Sequence, residues 1–509
     1  MRLPRNMHLL IKRLCHDTRG NVLIGFAAAV LPLMAMVGSA VDIARAYTVK
    51  TRLQNACDAA SLAGRRVMLK DEIDGAVTSE ATKFFNFNFP VGMFNTPKVT
   101  PDITRPAPGT VAITASTSVP TVLMRIFGFN DIPVSASCTA QQSFINVDVV
   151  MVLDTTGSMD DKLSSGQTKI EALRSAVMSF YKQLAPLQSS LEANGYRLRY
   201  AVVPYAQAVN VGKLLFAANQ SYINQSNSAQ YVRITGYSGN GSDPDISWIS
   251  QGLPHSSNWI QSSSYNGFVE ERKTTVTASA TPTEAELARM TDLDVNLLPT
   301  NDATRWAPAD PDQAFVQYGF AACPTSAVRL KAFSESEMQN YVNALAPGGG
   351  TYLDIGMIWG ARFISDGGVF ADSPLAFNGM RTNKYMVFLT DGEMEPQAIS
   401  YSGYSVELML RRVSIGTPNV SPVKRAFSAA NAMKADLVAR HTGRFDAMCQ
   451  VVRNMGVSIW TIKLSDAAMD DHLKKCANVG QAATVSDQNA LINQFSLIGK
   501  EISELRLTK

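Results

Sequence analysis

The chain has 509 residues, 46% of them hydrophobic, enough to bury more than one core and to divide into about two to four domains. Its formal net charge of +3 gives no footing for a nucleic-acid partner. The sequence contains 5 histidines and no His-Glu-x-x-His, Gly-x-Ser-x-Gly or Gly-x-x-x-x-Gly-Lys-Ser/Thr pattern, so the familiar hydrolase and nucleotide-binding signatures are excluded and the chain reads as a non-enzyme.

Arg2, Arg5, Lys12, Arg13 and Arg19 crowd the start of the chain with only Asp17 against them. Residues 22–41 then carry no charge until Asp42, a run of roughly twenty residues that is long enough to cross a hydrocarbon core. The basic flank predicts a single-pass membrane protein with residues 1–19 in the cytoplasm and everything after residue 45 or so outside it; the bacterial inner membrane and periplasm are what the family resemblance given below implies. A cleaved signal peptide is the rival, since Gly38-Ser39-Ala40 offers small residues before Val41. The apolar run is longer than a usual signal core, however. Ile43, Ala46, Leu53, Ala56, Ala60 and Leu62 also continue it as an amphipathic helix, giving an uncleaved anchor over residues 20–66. Residues 67–145 change character: apolar and polar residues alternate over 99–139, which reads as short antiparallel strands in a β-rich spacer module.

From residue 146 to 509 the pattern becomes strand and helix in turn. A β-rich run over 147–153 spills into Asp154. Thr168-Lys169-Ile170-Glu171 has capping-box spacing, followed by a helical stripe of Ile170, Leu173, Val177 and Leu184. A strand follows over 199–203. A second box, Ser334 to Glu337, precedes a helix over 338–345, and the turn Gly348-Gly349-Gly350 presents Thr351. The strand 385–389 spills into Thr390-Asp391-Gly392, and helix 423–455, strands 457–462 and 482–485 and helix 489–505 complete the series. This alternation predicts an α/β fold with a doubly wound, mainly parallel sheet. Residues 205–332 interrupt it as a large insertion. It is poor in charge up to about residue 268 and rich in Ser, Asn, Gly, Tyr and Trp, which fits either a recognition loop or a flexible segment.

Asp154, Thr156, Ser158, Thr351 and Asp391 each lie where a strand ends or a glycine turn begins, and ligands collect at such carboxyl ends. Two carboxylates and three hydroxyls suit a hard divalent cation, Mg²⁺ first, with Mn²⁺ or Ca²⁺ as alternatives. An ordinary Asx turn accounts for any one of these segments, but not readily for all three. Asp160-Asp161 and Glu393/Glu395 read as a solvated acidic rim, or alternatively as the carboxylates of a metal-dependent hydrolase. Among the cysteines, Cys449 and Cys476 bracket one strand–helix unit and are the candidate disulfide of an oxidising compartment. Cys15 is expected as a free cytoplasmic thiol, and Cys57 as a candidate for pairing between chains.

The three polar loops resemble the metal-ion-dependent adhesion site (MIDAS) of von Willebrand factor A domains: Asp-x-Ser-x-Ser, then a Thr, then an Asp. Here the first loop reads Asp154-Thr155-Thr156-Gly157-Ser158, with Thr for the first Ser and the hydroxyl retained. The resemblance implies that Thr156, Ser158 and Thr351 ligate the cation, while Asp154 and Asp391 hold its waters or complete its shell. The stretch RGNVLIGFAAAVLPLMAMVGSAVDIARAY with LQNACDAASLAG looks like the N-terminal region of TadG-type proteins of the tight-adherence (Flp) pilus machinery. The likeness resumes at PVSASCTAQQSFINVDVVMVLDTTGSM, CPTSAVRL, APGGGTYLDIGMIWGARFIS and LRLTK. Prepilin-like relatives carry a Glu five residues after a processing glycine. Counted from Gly20 that position is Gly25, so no such cleavage is expected. The resemblance implies a membrane-anchored, periplasmic, metal-dependent protein-binding component of pilus assembly or secretion, whose partner is a pilus or secretion subunit offering an acidic side chain. A cell-envelope adhesin using the same site and a metal-dependent hydrolase are the alternatives.

Overall fold

The computed structural model describes residues 21–504 except 69–71, 108, 142–144, 225–229, 240, 253–258, 288 and 310–322. The expected cytoplasmic tail over 1–19, with Cys15, lies outside the described residues. The described residues form two compact units, unit one over 21–141 and unit two over 145–504.

Unit one is built on α1 (Asn21–Val67), an uninterrupted helix of 47 residues. Its first half exposes Phe26, Leu33, Met34, Met36, Val37 and Val41. Its second half buries Ala46, Val49, Leu53, Ala56, Cys57 and Ala60, spaced at the three- and four-residue intervals that place side chains on one face. That face covers a three-stranded antiparallel sheet of β1 (Asp102–Thr104), β2 (Thr110–Pro120) and β3 (Asp131–Gln141). Along β2 and β3 alternate residues turn inward: Val111, Ile113 and Ala115 on one, Val134, Ala136 and Cys138 on the other. A further helix, α2 (Gly75–Asn88), was not read from the sequence. Asp74 caps it by accepting from the Val77 N–H at 2.9 Å, and Val77, Ala81 and Phe85 form its buried stripe. The expectation that Cys57 pairs between chains is corrected: it forms a disulfide with Cys138, Cα to Cα 6.0 Å. The reason is geometric, since Cys57 lies on the helix face that packs on β3.

In unit two the described residues form a seven-stranded sheet. Its main strands, in spatial order, are β6 (Val328–Lys331), β5 (Leu198–Tyr205), β4 (Asn146–Asp154), β7 (Met380–Thr390), β8 (Ser458–Leu464) and β9 (Ala482–Val485). The pairs β4–β5, β4–β7, β7–β8 and β8–β9 are parallel, and the edge strand β6 is antiparallel to β5. The central strands are buried on both faces, which explains the apolar runs 149–153 and 385–389; Asp148, also buried in β4, is held by the Arg199 guanidinium at 2.9 and 2.8 Å. Val149, Met151, Leu153, Val387 and Leu389 face one core, shared with helices α3 (Lys169–Ala193), α4 (Glu335–Asn343) and α7 (Gln488–Glu504). Val150, Val152, Met386 and Phe388 face the other, shared with α5 (Leu353–Ile364) and α6 (Ala426–Asn454). Both capping boxes form, at Thr168/Glu171 and at Ser334/Glu337. Chain order reverses at β4: the next strand lies to one side of it and β7 to the other. That makes a switch-point crevice at the carboxyl ends of β4 and β7.

The described part of the insertion belongs to the core of unit two. Trp259, Ile260, Tyr265, Phe268 and Trp306 are buried with α5 and α6. Buried charges tie it down further. Glu271 accepts both guanidinium N–H groups of Arg362 at 3.0 Å and the Trp306 Nε1–H at 3.1 Å. Asp292 pairs with Arg444. Cys449 on α6 and Cys476 form a disulfide, Cα to Cα 5.1 Å.

Candidate metal centre

β4 and β7 end side by side, and their last polar residues meet. The Asp154 carboxylate is fully buried. Its Oδ1 accepts the Thr156 N–H at 2.8 Å, an Asx-type turn that bends the chain off the strand. Its Oδ2 accepts the Thr390 hydroxyl at 2.7 Å, and the Tyr205 hydroxyl lies 3.4 Å away. Burial, then the neighbouring Asp391, push the Asp154 carboxyl up to about 7. Asp391 accepts the Ser158 hydroxyl on Oδ1 and the Lys169 ammonium on Oδ2, each at 2.8 Å. Thr156 Oγ1 and Ser158 Oγ are 3.0 Å apart.

The second loop reaches the same place through its glycines. Gly349 has φ +83°, and a Cβ there would sit 1.8 Å from Gln207 Oε1, so only glycine fits. Its carbonyl accepts the Gly157 N–H at 2.9 Å, and Gly348 N–H donates to Thr155 O at 2.8 Å, stitching the first two loops together. Thr351 follows, buried. Its carbonyl accepts the Glu395 N–H at 2.9 Å, and its Oγ1 lies 3.9 Å from the place a Cβ on Gly392 would occupy. Helix α5 starts two residues later and is pinned there. Asp354 in its first turn faces His441 Nδ1 at 2.8 Å and accepts from Arg444 Nε at 3.2 Å.

The structure thus gathers Asp154, Thr156, Ser158, Thr351 and Asp391 in one crevice. Asp160, Asp161 and Glu393 lie exposed at its edge, with Asp161 3.7 Å from Lys169 and Glu395 paired to Lys434. Sequence reading missed Lys169, Thr390 and Tyr205. For Lys169 a signal existed: a cation at the first position of a helix opposes the macrodipole and calls for a carboxylate partner. Among the described residues no group of three or more His, Cys, Asp or Glu gathers as a metal site. The donor set here is instead two carboxylates plus hydroxyls, all hard oxygens, and suits Mg²⁺-like chemistry. Two carboxylates against one ammonium leave the crevice at a formal charge of −1, so the residues fit a bound cation.

Several solved structures are similar to the chain at low overall superposition. The pilus adhesin SpaC from Lactobacillus rhamnosus GG is 13% identical over 80% of this chain, with TM-score 0.34. The chain spans only 35% of that adhesin. The vWF domain of the type V pili tip protein Mfa5 from Porphyromonas gingivalis is 13% identical, covering 72% of this chain and 96% of that one, with TM-score 0.31. Proximal thread matrix protein 1 from the mussel byssus, solved with a zinc-occupied MIDAS motif, is 10% identical over 70% of this chain and 48% of its own, with TM-score 0.29. No curated protein matches. One family model does, described as putative Flp pilus-assembly TadE/G-like, over residues 20–67. Helix α1 therefore coincides with the stretch that matches the TadE/G-like Flp pilus-assembly model.

Proposed function

We propose that the chain is a membrane-anchored, metal-dependent protein-binding component of Flp (Tad) pilus assembly, and that unit two is a von Willebrand A-like domain of doubly wound type. The observation that carries this reading is the crevice at the ends of β4 and β7, where Asp154, Thr156, Ser158, Thr351 and Asp391 converge. Ser158, Thr156 and Thr351 are the direct oxygen donors in this reading. Asp154 and Asp391 complete the charge, and the Lys169 ammonium stands as the counter-cation of Asp391 when no metal is bound. A bound Mg²⁺, Mn²⁺ or Ca²⁺ supplies a Lewis-acidic position that an acidic side chain of a pilus or envelope subunit can occupy. In this reading the site binds rather than catalyses, and the exposed Asp160, Asp161 and Glu393 form a solvated acidic rim.

α1 is the one helix among the described residues long and apolar enough to span a membrane. The basic residues ahead of it favour a cytoplasmic N-terminus and a periplasmic unit two. A cysteine at the exposed Ser238 tests that orientation. It should react with an impermeant thiol reagent only from the periplasmic side, and labelling from the cytoplasmic side alone rejects it. The binding function is tested by capture from detergent-solubilised envelope with wild type and Asp154→Ala in parallel. A pilus or envelope subunit retained by wild type with Mg²⁺, and lost with chelator and in the variant, is expected. Equal retention under all conditions defeats the metal-dependent reading.

A further inference from the structure

The turn joining β2 to β3 carries an apolar surface that nothing among the described residues of unit one covers. Residues 121–130 read Thr-Val-Leu-Met-Arg-Ile-Phe-Gly-Phe-Asn, with Arg125 the only charge. Val122, Ile126, Phe127 and Phe129 all point outward, Ile126 at 77% exposure and Phe129 at 60%. A soluble surface rarely tolerates so many large apolar side chains together, and such a patch marks an interaction site.

Its position on α1 is fixed by three sets of contacts. The buried Asp42 carboxylate accepts the backbone N–H groups of Val122, Leu123 and Met124 at 2.9, 2.9 and 2.7 Å. Arg45 donates to Pro120 O and to Phe94 O, each at 3.1 Å. At Gly38 a Cβ would meet Leu123 Cβ at 2.8 Å, so the missing side chain is what lets the turn lie against the helix. The turn is therefore level with residues 38–42. Residue 38 lies three positions inside the uncharged run 22–41, or about 4.5 Å at the helical rise of about 1.5 Å per residue.

We propose that this turn is a second membrane contact, dipping into the lipid interface beside α1. Ile126, Phe127 and Phe129 enter the acyl boundary, and Arg125 reaches back to the phosphates. The occupant is the phospholipid bilayer and not a protein, because the register with α1 carries the turn to the depth at which the apolar run itself ends. This inference rests on the reading of α1 as a membrane span. With the helix and the turn both seated, unit one has two points of attachment and a fixed orientation on the membrane.

The test uses the full chain in phosphatidylcholine/phosphatidylglycerol vesicles. All 5 native tryptophans lie in unit two, so Ile126→Trp and Phe129→Trp each add one emission above a wild-type baseline. Both sites are exposed, so the substitutions leave the fold intact. Lipids brominated on the acyl chains should reduce the added emission roughly twofold, as expected for a ring some 5–10 Å below the headgroups. Aqueous acrylamide should barely affect it. Quenching by acrylamide and not by bromolipid places the turn in water and overturns the proposal. Protection from both quenchers means a protein covers it, a second copy or a partner, and also overturns it. If wild type fails to float with the vesicles, α1 is not an anchor and both readings fall. Flotation without bromolipid quenching rejects the turn alone.

Discussion

Asp154 offers a quantitative handle, because its carboxylate is buried and shares its crevice with Asp391. The first consequence of burial is that the group ionises near pH 7 in the folded chain, instead of near 3.8. A folded-state value raised above the unfolded one favours the folded state at low pH, and that advantage is lost as pH rises toward 7. The gap between 3.8 and about 7 amounts to about 4 kcal/mol at pH 8, at about 1.4 kcal/mol per pH unit, but to only about 1 kcal/mol at pH 4.5. Asp154→Asn removes the ionisation. The amide oxygen still accepts the Thr156 N–H, and the amide N–H₂ faces the Thr390 hydroxyl, which can turn its own hydrogen to Gly392 O at 3.1 Å. In chelator, the variant's stability relative to wild type should therefore rise by about 3 kcal/mol between pH 4.5 and 8. Denaturant unfolding followed by tryptophan emission reports unit two alone, since every tryptophan lies there. Taking the difference between the two proteins cancels every titrating group outside the Asp154/Asp391 pair. Parallel pH profiles would refute the argument that the Asp154 carboxylate is a strained buried charge awaiting a counter-ion.

Three further outcomes follow from the same geometry. Lys169→Met removes the ammonium from Asp391, so Mg²⁺ affinity should rise about tenfold, about 1.4 kcal/mol, while apo stability falls; calorimetry showing equal or weaker binding contradicts a counter-cation role. Cys449→Ser with Cys476→Ser opens a loop of sequence separation 27 and should lower stability by about 3.5 kcal/mol on the chain-entropy estimate, with Mg²⁺ binding retained; an unchanged unfolding midpoint speaks against it. Arg362→Met leaves Glu271 buried without its partner and should cost about 3–5 kcal/mol; a loss below about 1 kcal/mol in denaturant unfolding shows that the insertion is not held by this pair.

The parallel strands of the sheet were legible because they announce themselves, whereas the short antiparallel edge strand β6 was not read. The stretches 149–153 and 385–389 are apolar on both faces, and each stops at a polar residue, Asp154 or Thr390. The capping boxes at Thr168 and Ser334 placed two helices for the same local reason. Long-range pairing was not legible. Lys169 and Asp391 are 222 positions apart, and no periodicity links them. The insertion defeated pattern reading because Trp259 reaches the core from a single 3₁₀ turn, Trp306 from an isolated β-bridge, and Tyr265 and Phe268 from irregular backbone, none with the two- or 3.6-residue period that marks a strand or a helix. α2 was missed although Asp74 caps it, because its apolar stripe of Val77, Ala81 and Phe85 is short and set among polar residues. Cys57 was misread because its partner is set by the packing of α1 on β3, which spacing along the chain does not encode.

The central claim, that five oxygen-bearing side chains from three loops hold a divalent cation, is tested most directly by titrating Mg²⁺ and Mn²⁺ into the full chain in detergent. Wild type, Asp154→Ala and Asp391→Ala would be compared by calorimetry. Saturable one-site binding to wild type, weakened at least about tenfold in each variant, is the predicted result, equivalent to about 1.4 kcal/mol or more of lost binding free energy. Identical affinity in all three proteins, or no binding to wild type, would contradict it.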